Sequence, residues 1–275
     1  MYKLKLACLA FMGFLLSCKS DDNPTSPPKI EGRKMILIGN SFFRPYAENL
    51  NEVVLDAGIE NHNSTTVFRG GDNGRPQNFW NDSASAEHLT IKSVLNQGDI
   101  EIFGMTAGYD TTAGVDLTYG HRAWIDYAVE RNPGITVFIA IPQVDFPANW
   151  EQLAADFGYT TFQDFYGAFV NMVHDFIVEP LRLEFPNTKI FSIPTGWASV
   201  ELTQMKLDDE LLDDIGLMGA KPTSLFTDQK GHQGQIIIET GSLVWLNSIY
   251  GVDLSTNIYN TGSVSYTHLR AHETS

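Results

Sequence analysis

Short apolar runs alternate with helix-period stretches along most of this chain, and that alternation restricts its architecture more than any other feature. Residues 34–38, Lys-Met-Ile-Leu-Ile, form a compact β-run that stops at Gly39. Tyr46, Leu50, Val53 and Ala57 then recur at i, i+4, i+7 and i+11, the spacing of one helix face, until Gly58 ends the pattern. A second β-run over 65–68 closes at Gly70-Gly71. A helix is predicted over 84–96 and a third strand over 99–103. His121, Trp124, Ile125, Ala128 and Val129 then mark a helix face ended by Asn132-Pro133-Gly134. Residues 135–141 are almost wholly apolar, as a parallel strand buried on both faces should be. A longer helix is predicted over 161–179, with Phe165, Phe169, Met172, Val173 and Phe176 on one face and Pro180 as its end or kink. Residues 189–193 give a fifth strand, 200–212 a helical pattern and 235–250 a last helix. In that last segment Ile236-Ile237-Ile238 would equally suit a strand.

Strands alternating with helices imply an α/β fold, a sandwich of helices around a five-stranded parallel sheet. In open sheets of this kind, ligands bind beyond the carboxyl ends of the strands. Chemistry is therefore sought in the loops that follow them. The first is Gly39-Asn40-Ser41-Phe42-Phe43, where a serine sits at a strand end and a helix start, a place that favours developing negative charge. An ordinary helix cap is the competing reading of Ser41. Before the last helix stands Phe226-Thr227-Asp228-Gln229-Lys230-Gly231-His232. Here His232 can take a nucleophile's proton and Asp228 can hold its tautomer. The order Ser…Asp…His, with the nucleophile after the first strand, is a coherent catalytic layout.

On these residues the sequence resembles the SGNH (GDSL-like) hydrolase superfamily, over roughly residues 33–255. The resemblance implies a flavodoxin-like three-layer α/β/α sandwich and a serine esterase acting on carboxylic esters. It implies Ser41, Asp228 and His232 as catalytic residues. It further implies an oxyanion hole built from the N–H of Ser41 and of Gly71, with Gly70 close by. No cofactor and no metal are implied. Two departures stand out. The last block is Asp-x-x-x-His instead of Asp-x-x-His, with Gly231 available to absorb the extra residue. The loop after the third strand, Gly104-Met105-Thr106-Ala107-Gly108-Tyr109-Asp110, lacks the family's asparagine, which leaves Thr106 or Tyr109 as the third donor, or a weaker hole without one. Location and analogy favour O-acyl, first of all acetyl, groups on extracellular glycans. A lipid esterase or thioesterase, and a silent glycan-binding protein on the same fold, are the alternatives.

Both ends are read apart from the fold. Lys3 and Lys5 precede an apolar run over 6–16, too short to span a bilayer, which needs about 20 residues. Leu15-Leu16-Ser17-Cys18 resembles a bacterial lipobox. Residues 1–17 are thus expected to be a signal peptide, with Cys18 acylated and 18–32 an extended polar tether to a membrane. Asp21-Asp22 resembles the export signal of surface lipoproteins in Bacteroidota, so the expected location is extracytoplasmic and lipid-anchored in the outer membrane. Cys8 and Cys18 are the only cysteines, which leaves the domain at 33–263 without thiol chemistry. Residues 264–275 resemble translated sequencing-adapter text, so His268 and His272 are not read as a metal pair. The net charge is −15, or −17 once Lys3 and Lys5 leave with the signal, which disfavours nucleic acid as a partner. His62, His88, His121 and His174 show no metal-ligand spacing, and Trp80, Phe146 and Trp150 read as packing residues near strand-end loops.

Overall fold

A computed structural model describes residues 29–108, 114, 116–211, 214–256 and 259. Within it, five strands form one parallel sheet: β1 Lys34–Gly39, β2 Asn63–Phe68, β3 Ile102–Thr106, β4 Thr136–Ala140 and β5 Ile190–Ile193. Their order is β2-β1-β3-β4-β5, so the direction of winding reverses between β1 and β3. This is the flavodoxin-like order, whose switch point opens a crevice beyond the carboxyl ends of those two strands. Register is continuous across the centre: Met35 pairs with Ile102, Ile38 with Met105 and Met105 with Ile139.

Strand alternation sends successive side chains to opposite faces, and each face acquires its own apolar layer. Met35 and Leu37 of β1 join a core with helices α1 (Arg44–Asp56), α5 (Trp150–Asp156), α6 (Phe162–Val173), α8 (Trp197–Leu207) and α9 (Gln235–Tyr250). Ile36 and Ile38 join the opposite core with α2 (Pro76–Asn81), α3 (Ala86–Leu95), α4 (Tyr119–Val129) and α7 (Glu179–Glu184). The result is the expected three-layer sandwich. Ile236, Ile237 and Ile238 are all buried within the last helix, which settles the ambiguity of that triplet. A small parallel pair, β6 Gly216–Met218 and β7 Ser224–Phe226, precedes it.

The structure departs from the sequence expectations at several places. The third strand begins three residues later than predicted, because Gly104 and Thr106 dilute the apolar signal of its second half while remaining in register with β4. Pro180 does not end the long helix. A single π turn over His174–Val178 intervenes, and the helix continues as α7 with Pro180 in its first turn. The wider turn accommodates a residue that lacks an N–H and crowds the carbonyl four positions back. It also shifts the helical phase, so Ile177 and Val178 enter the core while Phe176 is turned out, 59% exposed. The predicted helix over 200–212 runs instead as Trp197–Leu207. Trp80 packs edge-on against Trp124 at 4.8 Å and Trp150 stacks on Phe162 at 4.1 Å, both as packing residues. Among the described residues no helix is long and apolar enough to cross a membrane.

His121, fully buried behind β3, donates from Nε2 to the Thr106 carbonyl at 2.9 Å. Burial pushes its pKa down to about 4 from 6.5, with the bond to Thr106 opposing that shift. Between these values the unfolded chain binds a proton that the folded chain refuses, so stability falls as pH drops through that window, by about 3 kcal/mol in full. The urea midpoint of the wild type is expected to decline from pH 6.5 to pH 4 more steeply than that of His121→Gln, measured side by side.

Candidate active site

β1 delivers the chain at Gly39 into a tight turn. The Asn40 side-chain oxygen accepts from the N–H groups of Phe42 and Phe43 at 3.0 and 3.3 Å, and the Asn40 carbonyl accepts from Phe43 and Arg44. This is an Asx turn. Asn40 thereby takes the role that an N-cap serine would have filled, and Phe43, the cap residue of α1, makes no side-chain cap bond. The Ser41 hydroxyl is left free for another partner. It lies 2.9 Å from Nε2 of His232.

The His232 loop is equally determined by local chemistry. Phe226 and Gln233 bridge its base, and the Thr227 N–H donates to the His232 carbonyl at 2.8 Å. Asp228 then works with both oxygens. Oδ1 accepts from the Gly231 and His232 N–H groups at 3.0 and 3.2 Å, while Oδ2 meets His232 Nδ1 at 2.6 Å. Gly231 has φ +101°, and a Cβ there would stand 2.9 Å from Cδ of Pro147. Glycine is what lets the longer Asp-x-x-x-His loop close and still bring carboxylate to imidazole. Burial is the largest influence on Asp228 and opposes ionisation, yet the hydrogen bonds from His232 and Gly231 together hold its carboxyl below the ordinary range. One face of the imidazole stacks on Phe42 at 5.0 Å and 17°. That contact fixes the plane of the imidazole ring.

Gly71, at φ +55°, begins a 3-10 turn beyond β2 and lines a hollow of about 250 Å³ together with Asn40, Ala107 and Gly108. Among the described residues, the N–H groups of Ser41 and Gly71 have no acceptor. Gly70, just before that turn, has open space around it. Thr106 is not brought to this hollow. It is 1% exposed, its hydroxyl is sealed inside the protein without a partner among the described residues, and the wall at this strand end is Ala107 and Gly108. The reason is its position in the strand: Thr106 is the last paired residue of β3, and the chain reaches the cavity only after it. Tyr109 and Cys18 lie outside the described residues.

Sequence reasoning missed Phe42, as well as Asp145 and Lys230 on the rim of the same hollow. Lys230 Nζ stands 3.8 Å from Asp145, whose carboxyl is pushed up by burial while Lys230 and His232 pull it down. The position of Asp145 just after the fourth strand was the available signal. Ser41 itself opens on a second, larger hollow of about 400 Å³ between α1 and α9, where Glu48, Asn49, Glu52, Lys221 and Gln235 outnumber Pro45, Phe68 and Ile238.

No protein-family model matches the chain, and no curated protein matches it. Solved structures do. A DUF4886 family protein from Bacteroides uniformis ATCC 8492 is similar over 88% of this chain and 92% of that one, at 14% identity and a TM-score of 0.55. The periplasmic domain of a lipopolysaccharide acetyltransferase from Salmonella ser. Paratyphi A matches 79% of this chain and 82% of its own, at 14% identity and a TM-score of 0.40. A family 3 carbohydrate esterase from Clostridium thermocellum matches 79% and 94%, also at 14% and 0.40. The first likeness establishes a shared fold. The other two carry no weight for what this chain does.

A depressed Asp228 pKa means that its ion pair with a protonated His232 persists to pH values below the usual carboxylate range and is lost only as pH falls through that lowered value. The carboxyl carbon of Asp228, followed by NMR, is expected to titrate below an ordinary aspartate. In Gly231→Ala, which strains the loop by about 1–3 kcal/mol, the midpoint should move back up.

Proposed function

We propose that this protein is an SGNH-type serine esterase. The observation that supports it is the unbroken chain of contacts from Ser41 Oγ through His232 Nε2 and Nδ1 to Asp228, at 2.9 and 2.6 Å. In this reading Ser41 attacks the ester carbonyl and passes its proton to His232. Asp228 holds the imidazole tautomer and stabilises the imidazolium, and Phe42 covers one ring face. The N–H groups of Ser41 and Gly71 receive the oxyanion, each worth a few kcal/mol in the transition state. His232 then protonates the departing alcohol, and water, activated by His232, hydrolyses the acyl-enzyme. No cofactor or metal enters these steps. Gly108, which lines the hollow where Thr106 does not, is the better placed third donor.

The two hollows favour an O-acylated glycan as substrate. The smaller, near 250 Å³, has room for the acyl group beside Gly71 and Gly108. The larger is lined mostly by acids, amides, an arginine and a lysine, a surface that hydrogen-bonds hydroxyl groups and offers little to a long acyl chain. Placement of the enzyme outside the cell, tethered through an acylated Cys18 and the segment up to residue 32, belongs to the same proposal.

A fluorophosphonate probe is expected to label the wild type and not Ser41→Ala. Equal labelling of both, or none of folded wild type, would remove Ser41 from the mechanism. Asp228→Asn is expected to lower kcat on an aryl acetate by on the order of 10³–10⁴-fold. Acetate release from acetylated oligosaccharides should far exceed hydrolysis of long-chain acyl esters, and the reverse preference would sink the glycan assignment. Metabolic palmitate labelling that survives Cys18→Ser would exclude the anchor.

A further inference from the structure

Two buried glutamines tie the catalytic loops together, Gln143 also lining the smaller hollow, and nothing in the proposed chemistry uses them. We infer that Gln143 and Gln233 are positioning residues, which hold the His232 loop in register with the Ser41 turn. This inference rests on the Ser41–His232 pairing proposed above. Both side chains are 3% exposed, so their amides must find partners inside the protein. Gln233 Nε2 donates to the Phe42 carbonyl at 2.9 Å, one residue past the nucleophile, and to Gln143 Oε1 at 3.4 Å. Gln143 Nε2 donates to the Gly231 carbonyl at 2.9 Å, one residue before the histidine. The two amides therefore form a chain from the Ser41 turn to the His232 loop, parallel to the Ser41–His232 contact and on its buried side.

The segment that carries Gln143 grips the same loop at three further points. Phe146 N–H donates to the Lys230 carbonyl at 3.0 Å, Asp145 faces Lys230 Nζ, and Pro147 abuts Gly231. Phe146 adopts φ +61° to do so, a left-handed conformation that a bulky residue holds only under constraint from its surroundings. Gln233 Oε1 is buried without a hydrogen-bond partner among the described residues. An unpaired buried acceptor is costly, and an apolar residue of similar size would avoid that cost. What the apolar residue cannot supply is the pair of N–H donors. The donors are thus what this position contributes, and they act on the spacing of two catalytic loops that meet across 191 positions of sequence.

A test that needs no turnover reads the ring of His232 directly. In histidine-¹⁵N-labelled protein, with His232 assigned by its loss in His232→Gln, the Nε2 shift is compared between the wild type and Ser41→Ala. That difference reports the Ser41–His232 contact. Gln233→Met, of similar volume but without donors, is expected to erase most of it. The Nδ1 proton shared with Asp228 should persist, because that pair lies within one loop. On an aryl acetate, kcat should fall about 100-fold, as a displacement of about 1 Å can cause, with KM changed less than about threefold. Gln143→Met approaches the clamp from the other loop and serves if Gln233→Met does not fold. An Nε2 difference retained at its wild-type size in the folded variants, with kcat intact, overturns the positioning role. No difference between wild type and Ser41→Ala in the first place overturns the Ser41–His232 pairing itself, and the clamp with it.

Discussion

The packing of α1 against α9 is the constraint on which the site depends. The Ser41 turn runs directly into α1, and the Asp228–His232 loop runs directly into α9, so the distance between those helices sets the distance between serine and histidine. Gly241 allows the close approach: a Cβ there would stand 2.3 Å from a ring carbon of Tyr46. Phe43 and Tyr46 of the first unit both pack on Trp245 of the second, at 5.0 and 6.0 Å. Trp245 in turn meets Phe138 of β4 edge-on at 5.0 Å. The helix pair is therefore fixed to the sheet as well as to itself. Packing at native density resists small displacements, and the 2.9 Å contact between Ser41 and His232 inherits that rigidity.

Around this frame part of the unusual backbone lies beside the proposed site, and the rest falls in other turns such as those at Asn61 and Asp209. Gly71 and Gly231 have positive φ, and so does Phe146, and all three belong to segments that border the proposed site. The sheet beneath is regular and fully paired at its centre. At the proposed site, conformations that are unfavourable in isolation are held by a well-packed support, where they can orient N–H groups and side chains. Two electrostatic features complete the picture. Asp228 is kept ionised by three N–H donors including the imidazole, whose edge meets the carboxylate while one ring face stacks on Phe42.

Much of this was legible in the sequence because it depends on periodicity and order. All five sheet strands and the last helix followed from apolar patterning, and Ser41, Asp228 and His232 from their places at strand ends and before α9. What escaped had weaker local signals. β3 is displaced because three of its five residues read Gly-Met-Thr, and the helix continues past Pro180, expected as its end or kink, through a π turn that leaves no mark in composition. Thr106 is expected at the oxyanion hole from its loop alone, whereas its place inside β3 buries it. Gln143, Gln233 and Phe42 belong to no motif. Their importance arises only when segments some 90 to 191 residues apart are brought together.

The most direct measurement of the central claim is the site of acylation. The protein is mixed with an activated acetyl ester, quenched in acid within the first turnovers, digested and mapped by mass spectrometry. The account expects the acetyl group on the peptide containing Ser41, and loss of both the adduct and turnover in Ser41→Ala. An acetyl group on another residue, or turnover that survives Ser41→Ala, would contradict it.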